Sequence, residues 1–304
     1  MPMDDARPEW DPEIDVSAAS AAELFGGRFA HVAPLATGWD NTVFLADGTW
    51  VLRFPRRRIA VPGVEREIAL LPGLSAALPL PVPVPEIVGR PSDAFPWPFW
   101  GARLLPGREL AESGLPDALR TSAAAALGAF LRALHAPDLA ASLGARLPVD
   151  PFRRGDPSVR APMAREKLDG LVARGLYEPD AAVAELLAAG ARSGPSGARL
   201  VVAHGDLHVR HLLVGPDGRA AGVIDWGDLC RADPAVDLSL AYAGFQGAAR
   251  DALLAAYGPV SPATELRARV AAAFLCSTLA EYAAATGRAR LRDESLAGLR
   301  RCVS

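Results

Sequence analysis

Lysine is nearly missing from this 304-residue chain: of its 32 basic residues only Lys167 is a lysine, and the net charge is −3. That balance leaves no basic footprint for nucleic acid. Cysteine is scarce as well. Cys230, Cys276 and Cys302 are odd in number and widely spaced, which excludes a disulfide framework and a zinc site. The alanine-rich runs are broken well short of the ~18–20 apolar residues a membrane span needs. The opening Met1-Pro-Met-Asp-Asp-Ala-Arg7 has no basic segment followed by an apolar run, so no signal peptide is expected. The expectation is a soluble, cytoplasmic protein of a reducing compartment, with no membrane and no nucleic acid among its partners. No G-x-x-x-x-G-K-[ST] occurs, which excludes a P-loop enzyme, and no H-E-x-x-H, which argues against a metal hydrolase. What is present is apolar residue: hydrophobic types make up 50% of the chain and charged ones 22%, enough core for one or two domains.

The most informative stretch is Val202-Ala-His-Gly-Asp-Leu-His-Val-Arg-His-Leu-Leu-Val214, followed by Gly215-Pro-Asp-Gly218 and Ala221-Gly-Val-Ile-Asp-Trp-Gly-Asp228. It reads as a strand, a polar loop, a short strand, a tight turn and a returning strand. Pro-Asp-Gly between apolar runs signals a hairpin, because Asp and Gly tolerate the backbone angles of the turn. A turn centred on Asp217 and Gly218 sets His211 opposite roughly residue 224 by antiparallel pairing. His211 and Asp225 then fall side by side, with Asp206 in the loop upstream. Two carboxylates and an imidazole converge.

His204-Gly-Asp-Leu-His208 with a ligand-type residue at 211, then Ile224-Asp-Trp-Gly-Asp228, then Asp233-Pro-Ala-Val-Asp-Leu238, resembles the aminoglycoside/macrolide phosphotransferase family. The resemblance implies an α+β, protein-kinase-like fold of two lobes: a small antiparallel sheet with a helix, then a larger, mainly α-helical lobe. It places a nucleotide-binding lobe at residues 1–104 and a catalytic, acceptor-binding lobe at 105–304. It implies transfer of a γ-phosphate from ATP or GTP, with Mg²⁺ (or Mn²⁺), to a hydroxyl of a small molecule. Asp206 matches the catalytic base, and Asp225 with His211 the metal ligands. Most of the family carries asparagine at position 211, whereas macrolide-phosphorylating members more often carry histidine. Imidazole suits Mn²⁺ or Zn²⁺ better than Mg²⁺. A weakly held second metal, a single metal on Asp225, or contact of His211 with a phosphate all stay open.

Earlier in the chain, residues 1–16 are polar, and residues 17–25 have an N-cap serine and helical spacing. Runs at 31–35, 41–46 and 49–54 read as short strands. Gly38-Trp-Asp-Asn-Thr42 is the turn between the first two. The resemblance lays it over the nucleotide phosphates, making Gly38, Asn41 and Thr42 candidates there. A kinase-type site needs a cation on the third strand paired with a carboxylate on the following helix. Arg53 holds that strand position, with Glu67 as its partner and Glu65 as the rival. Leu78-Pro-Leu-Pro-Val-Pro-Val-Pro-Glu86 is extended because proline bars helix. Residues 95–105 form the last strand of the sheet; by resemblance the backbone at Arg103, Leu104 and Leu105 holds the adenine edge.

Helical periodicity then sets in at residues 119–134, ended by His135, a structural helix terminus. Residues 144–163 read as an exposed loop. Helices follow over 164–175 and 180–192, Gly194-Pro-Ser-Gly197 leads into the strand before His204, and further helices run over 248–257 and 265–285. His204 reads as a structural hydrogen-bonding group, Asp237 as the acceptor that fixes the catalytic loop, and Asp228 as either a substrate-side carboxylate or, in preference, the partner of an arginine such as Arg231; His208 carries no single reading. Residues 259–304 hold four acidic residues (Glu265, Glu281, Asp293, Glu294) against seven arginines, a net of +3 (7 − 4). That count disfavours a polycationic acceptor and favours a less charged hydroxylated molecule. The alternative to a working kinase, as monomer or homodimer, is a catalytically weak, nucleotide-binding regulator.

Overall fold

A computed structural model describes residues 12–194 and 196–304, the side chain of Ala145 excepted. Readings made on residues 1–11 and on Pro195 lie outside these. The chain divides into two compact units. One comprises the chain up to Ala76 with Val82–Leu105, the other Ala77–Pro81 with Pro106–Ser304.

The first unit opens with α1 (Ala18–Leu24), capped by Ser17, whose side chain accepts the Ser20 N–H. Strands β1 (Val32–Thr37), β2 (Asn41–Ala46) and β3 (Trp50–Pro55) follow, then α2 (Val61–Ser75), β4 (Ile87–Gly89) and β5 (Phe99–Arg103). The strands form one sheet in the order β1-β2-β3-β5-β4, antiparallel throughout. Burial in β2 alternates strictly: Thr42, Phe44 and Ala46 are buried, their neighbours half-buried. One face packs on an aromatic core of Phe25, Phe29, Phe44, Phe54, Phe95, Trp97 and Phe99. Phe54 and Phe99 stack at 4.9 Å. Side chains of this kind contribute about 1.5–3 kcal/mol each on burial. The other face receives α2 through Val64, Ile68, Trp100 and Ala102.

The second unit begins with β6 (Arg108–Glu109), α3 (Leu110–Ser113), α4 (Thr121–Leu134) and α5 (Pro137–Leu143). Next come α6 (Pro157–Ala173), α7 (Ala181–Arg192), β7 (Val201–Ala203), β8 (Leu212–Val214), β9 (Ala220–Val223) and β10 (Cys230–Ala232). Four helices close it: α8 (Ala235–Ala243), α9 (Gly247–Tyr257), α10 (Pro262–Ala285) and α11 (Ala289–Arg301). Every residue of α8 is buried, as expected of a helix apolar nearly all round. Helices α4 and α9 approach closely at Gly128, where a Cβ would lie 2.2 Å from the Leu253 carbonyl oxygen. Helix α6 begins earlier than the expected loop over 144–163 allows. Asp156 caps it by accepting the Ser158 N–H, and Pro157 fits the first turn, where no N–H is needed. Among the described residues no helix is long and apolar enough to cross a membrane.

Candidate active site

The hairpin forms with the register expected from the turn. Leu212 pairs with Val223 and Leu213 with Gly222, and the Ile224 N–H donates to the His211 carbonyl at 2.9 Å. Gly218 takes φ 74°, in the left-handed region glycine enters without cost. His211 is thereby delivered beside Asp225, its Nε2 3.4 Å from Asp225 Oδ2. Asp225 itself has φ 67°, a conformation disfavoured for a residue with a side chain and tolerated best by Asp and Asn.

The state of His211 follows from its other nitrogen. Nδ1 lies 2.7 Å from the backbone carbonyl oxygen of Asp206, which can only accept, so Nδ1 carries the proton and Nε2 presents a lone pair toward Asp225. Burial holds the ring neutral, lowering its pKa to about 4 although the Asp225 charge pulls the other way. A neutral imidazole lone pair and a carboxylate facing each other suit a divalent cation. His208 is arranged otherwise. Its Nδ1 accepts the Arg210 N–H at 3.3 Å, which puts the proton on Nε2, 3.6 Å from Asp206 Oδ2. Asp206, His208 and His211 lie close enough to share an ion. The nitrogens of His208 and His211 nearest the Asp206 carboxylate, at 3.6 and 4.0 Å, are the protonated ones, so that trio suits a cation less well than His211 Nε2 with Asp225 does. The two imidazole rings lie 3.8 Å apart, tilted by 31°, and burial, reinforced by the neighbouring His211 and the Arg210 charge, holds His208 well below the usual histidine range.

Asp206 keeps about a third of its side chain exposed. Desolvation first, then the neighbouring charges of Asp228 and Asp225, push its carboxyl well above the ordinary range, against the opposing charges of Arg154 and Arg210. Its loop is fixed from below. Asp237, fully buried, accepts the His204 N–H at 2.7 Å and the Gly205 N–H at 3.0 Å. Burial would raise the Asp237 pKa, but the hydrogen bond from His135, with His135 and His204 close by, holds it low. His135, at the end of α4, donates to Asp237 and faces Tyr257 Oη at 2.9 Å, so the expected terminal histidine is also a tether. His204 donates Nε2–H to the Ile224 carbonyl at 2.9 Å and accepts the Asp206 N–H, as a structural group does. Gly205 has φ 90°, and a Cβ there would sit 2.3 Å from the Asp228 carbonyl oxygen. The two acidic loops are stacked backbone on backbone.

The partner of Asp228 is Arg154, not Arg231: Arg154 Nη2 donates to Asp228 Oδ1, and Nη1 to Asp150 Oδ1 at 3.1 Å. Arg231 instead turns its Nε toward the Leu147 carbonyl. Sequence reasoning missed Arg154 because it lies in an aperiodic stretch some 70 residues from Asp228, with no local signal of the pairing. The charge count over 259–304 also loses its force in the folded chain. Arg267 pairs with Asp233, Arg269 with Glu265, Arg288 with Glu109 and Glu112, Arg292 with Asp293, and Arg301 with Asp117 and Glu294. Four of those carboxylates lie outside the counted window, so a net of +3 describes no surface.

In the first unit, Arg53 Nε lies 3.2 Å from Glu67 Oε2, with side-chain exposures of 9% and 0%. Trp100 Nε1 donates to the same carboxylate at 3.1 Å. Glu65 is exposed. Glu67 is thus the partner of Arg53. In the β2–β3 register Val43 faces Arg53 and Thr42 faces Phe54. Period-two alternation therefore puts Asn41 on the Arg53 face and turns the Thr42 side chain to the aromatic core. Asn41 Oδ1 is buried without a hydrogen-bond partner among the described residues, a condition that costs about 1–3 kcal/mol and suits a site completed by a ligand. A Cβ on Gly38 would meet nothing closer than the Asn41 carbonyl oxygen at 3.7 Å, so the turn has open space where glycine stands. Further along, the Leu104 N–H donates to the Thr49 carbonyl at 2.9 Å, which commits that donor to the sheet. Arg103 lays its guanidinium over Trp50 at 4.1 Å, and Leu105 continues from it at the end of the unit.

Residues 31–272 match the model of a phosphotransferase enzyme family. The chain belongs to that family. No curated protein sequence matches it. Among solved structures it is similar to the GDP and kanamycin complex of APH(2'')-IIIa, at 21% identity and a TM-score of 0.67, over 93% of this chain and 97% of that one. The macrolide 2'-phosphotransferase MphH from Brachybacterium faecium aligns at 26% identity and a TM-score of 0.59, over 93% and 98%. The streptomycin–ATP ternary complex of APH(2'')-IIa aligns at 18% and 0.55, over 85% and 86%. The α+β, kinase-like architecture expected from the catalytic stretch is therefore the fold of this family member, a small-molecule phosphotransferase.

Proposed function

We propose that the protein transfers the γ-phosphate of ATP or GTP to a hydroxyl group of a small molecule, an antibiotic of the macrolide or aminoglycoside kind or a related metabolite. The observation that carries this reading is the geometry at His211. Its Nδ1–H is fixed on the Asp206 carbonyl, and its Nε2 faces Asp225 at 3.4 Å, so one ring joins the loop of the base to the cation site. Asp206 orients the acceptor hydroxyl and takes its proton, a task suited to a carboxylate whose pKa is raised by burial and by its acidic neighbours. Asp225 and His211 are the groups that would hold Mg²⁺ or Mn²⁺; such an ion would neutralise charge on the phosphates. Arg53, steadied by Glu67, holds the α- and β-phosphates, and the turn at Gly38 and Asn41 covers the phosphate tail.

With five of the seven arginines of residues 259–304 paired to carboxylates, the charge count no longer separates polycationic from neutral acceptors. The deciding experiment is a transfer screen. The purified protein is incubated with ATP or GTP, Mg²⁺ or Mn²⁺, and macrolides, aminoglycosides and sugar or amino alcohols, with phosphorylated products read by mass spectrometry. A phosphorylated acceptor that disappears in Asp206→Asn is the expected result. Nucleotide binding without turnover on any acceptor would overturn the reading in favour of a regulatory binder.

A further inference from the structure

The turn between β1 and β2 is tied down by the residues that follow β3. Arg56 donates its backbone N–H to the Asp40 carbonyl at 2.7 Å and its Nη1–H to the Gly38 carbonyl at 2.9 Å. The Arg56 carbonyl in turn accepts from the Glu13 and Ile14 N–H groups at 2.9 and 3.1 Å, so Arg56 is moored on its far side as well. Arg57 donates Nε–H to Asp40 Oδ1 at 3.0 Å, and its Nη2 reaches the same oxygen. A hairpin turn needs none of this. The Gly38 N–H already closes it on the Asn41 carbonyl at 2.9 Å. Arg56 has no acidic partner among the described residues, and its buried Nε has no acceptor there, so its charge is committed to a backbone carbonyl and not neutralised by a carboxylate.

We propose that Arg56 and Arg57 are positioning residues for the nucleotide: they hold residues 38–40 in one conformation before the phosphates arrive. The inference rests on the reading given above, that this turn covers the phosphate tail. Its physical content is preorganisation. A glycine turn that must be ordered by its ligand weakens binding by the entropy of that ordering, and two side-chain clamps remove the loss beforehand. Because the clamps touch no reacting atom, their removal changes nucleotide affinity and leaves the chemical step alone.

The test uses Arg57→Gln, Asp40→Asn, their double variant and Arg56→Met in the full chain, with two readouts. Hydrogen exchange of the amides of residues 38–41, without nucleotide, reports on the clamp itself. Titration with a fluorescent ATP or GTP analogue, and KM for ATP or GTP, report on its use. Faster exchange in every variant is expected, with nucleotide KM and Kd raised about tenfold, kcat within about twofold, and the double variant no worse than either single one. Unchanged exchange would overturn the clamp. Faster exchange with unchanged KM would overturn its role in positioning, and so would a fall in kcat as large as the rise in KM. If the wild-type protein binds no nucleotide, the functional reading fails and takes the positioning role with it. The exchange data then still decide whether the arginines order the turn, which keeps the two failures apart.

Discussion

Replacing Glu67 by glutamine keeps the volume and one acceptor oxygen but removes the charge beneath Arg53. The pair is almost fully desolvated, at 9% and 0% side-chain exposure, with Nε and Oε2 3.2 Å apart. Deleting one member of such a pair strands the other in a medium that solvates it poorly, at about 3–5 kcal/mol. The Trp100 N–H can still find the amide oxygen in Glu67→Gln; in Glu67→Ala it cannot, which adds about 1–3 kcal/mol. At roughly 2–4 °C per kcal/mol for a chain of this size, Glu67→Gln lowers the melting temperature by about 10 °C, and Glu67→Ala by more. Glu65→Gln, two positions away but exposed, changes stability by about 0.5 kcal/mol or less. Scanning calorimetry of the three variants, with KM for the nucleotide, is the assay. A Glu67→Gln protein that melts with the wild type, or a Glu65→Gln protein that falls as far, would refute the assignment of the buried pair and the phosphate role built on Arg53.

Three other outcomes are expected. Asp206→Asn lowers kcat by about 10²- to 10⁴-fold with little change in melting temperature; a rate close to wild type would remove Asp206 as the base. Because the Asp206 pKa is raised and the base works deprotonated, kcat/KM declines as pH falls through a value above the ordinary carboxylate range. Arg154→Met, which deletes a charge that favours the ionised form, moves that limb to still higher pH, and a profile flat down to about pH 4 in both proteins would contradict it. His211→Asn shifts the ratio of Mn²⁺- to Mg²⁺-supported activity toward Mg²⁺ by about tenfold or more; an unchanged ratio and rate would take His211 out of the cation site.

Much of the site could be read from local sequence because its parts are close in the chain. The Pro-Asp-Gly turn sets the β8–β9 register, register sets which residue faces which, and His211 falls beside Asp225 with no long-range information needed. The paired apolar runs of the first sheet were legible for the same reason, as were the serine cap of α1 and the tight end of α4 at His135. What escaped is non-local or depends on facing. Arg154 reaches Asp228 across an aperiodic stretch, and Arg288 and Arg301 find carboxylates far outside residues 259–304. Thr42 was placed by its neighbours in a turn, whereas the pleat assigns its side chain to the opposite side from Arg53. The Leu104 N–H is held by the neighbouring strand, a contact its place in the chain does not reveal.

The contact at Gly205 has a mechanical consequence. With no room for even a methyl group between its α-carbon and the Asp228 oxygen, the peptide that precedes Asp206 rests directly on the turn that follows Asp225. Asp206 and Asp225 therefore ride on a single slab of backbone, and a displacement of one carries the other with it. An alanine at 205 would wedge the two carboxylates apart.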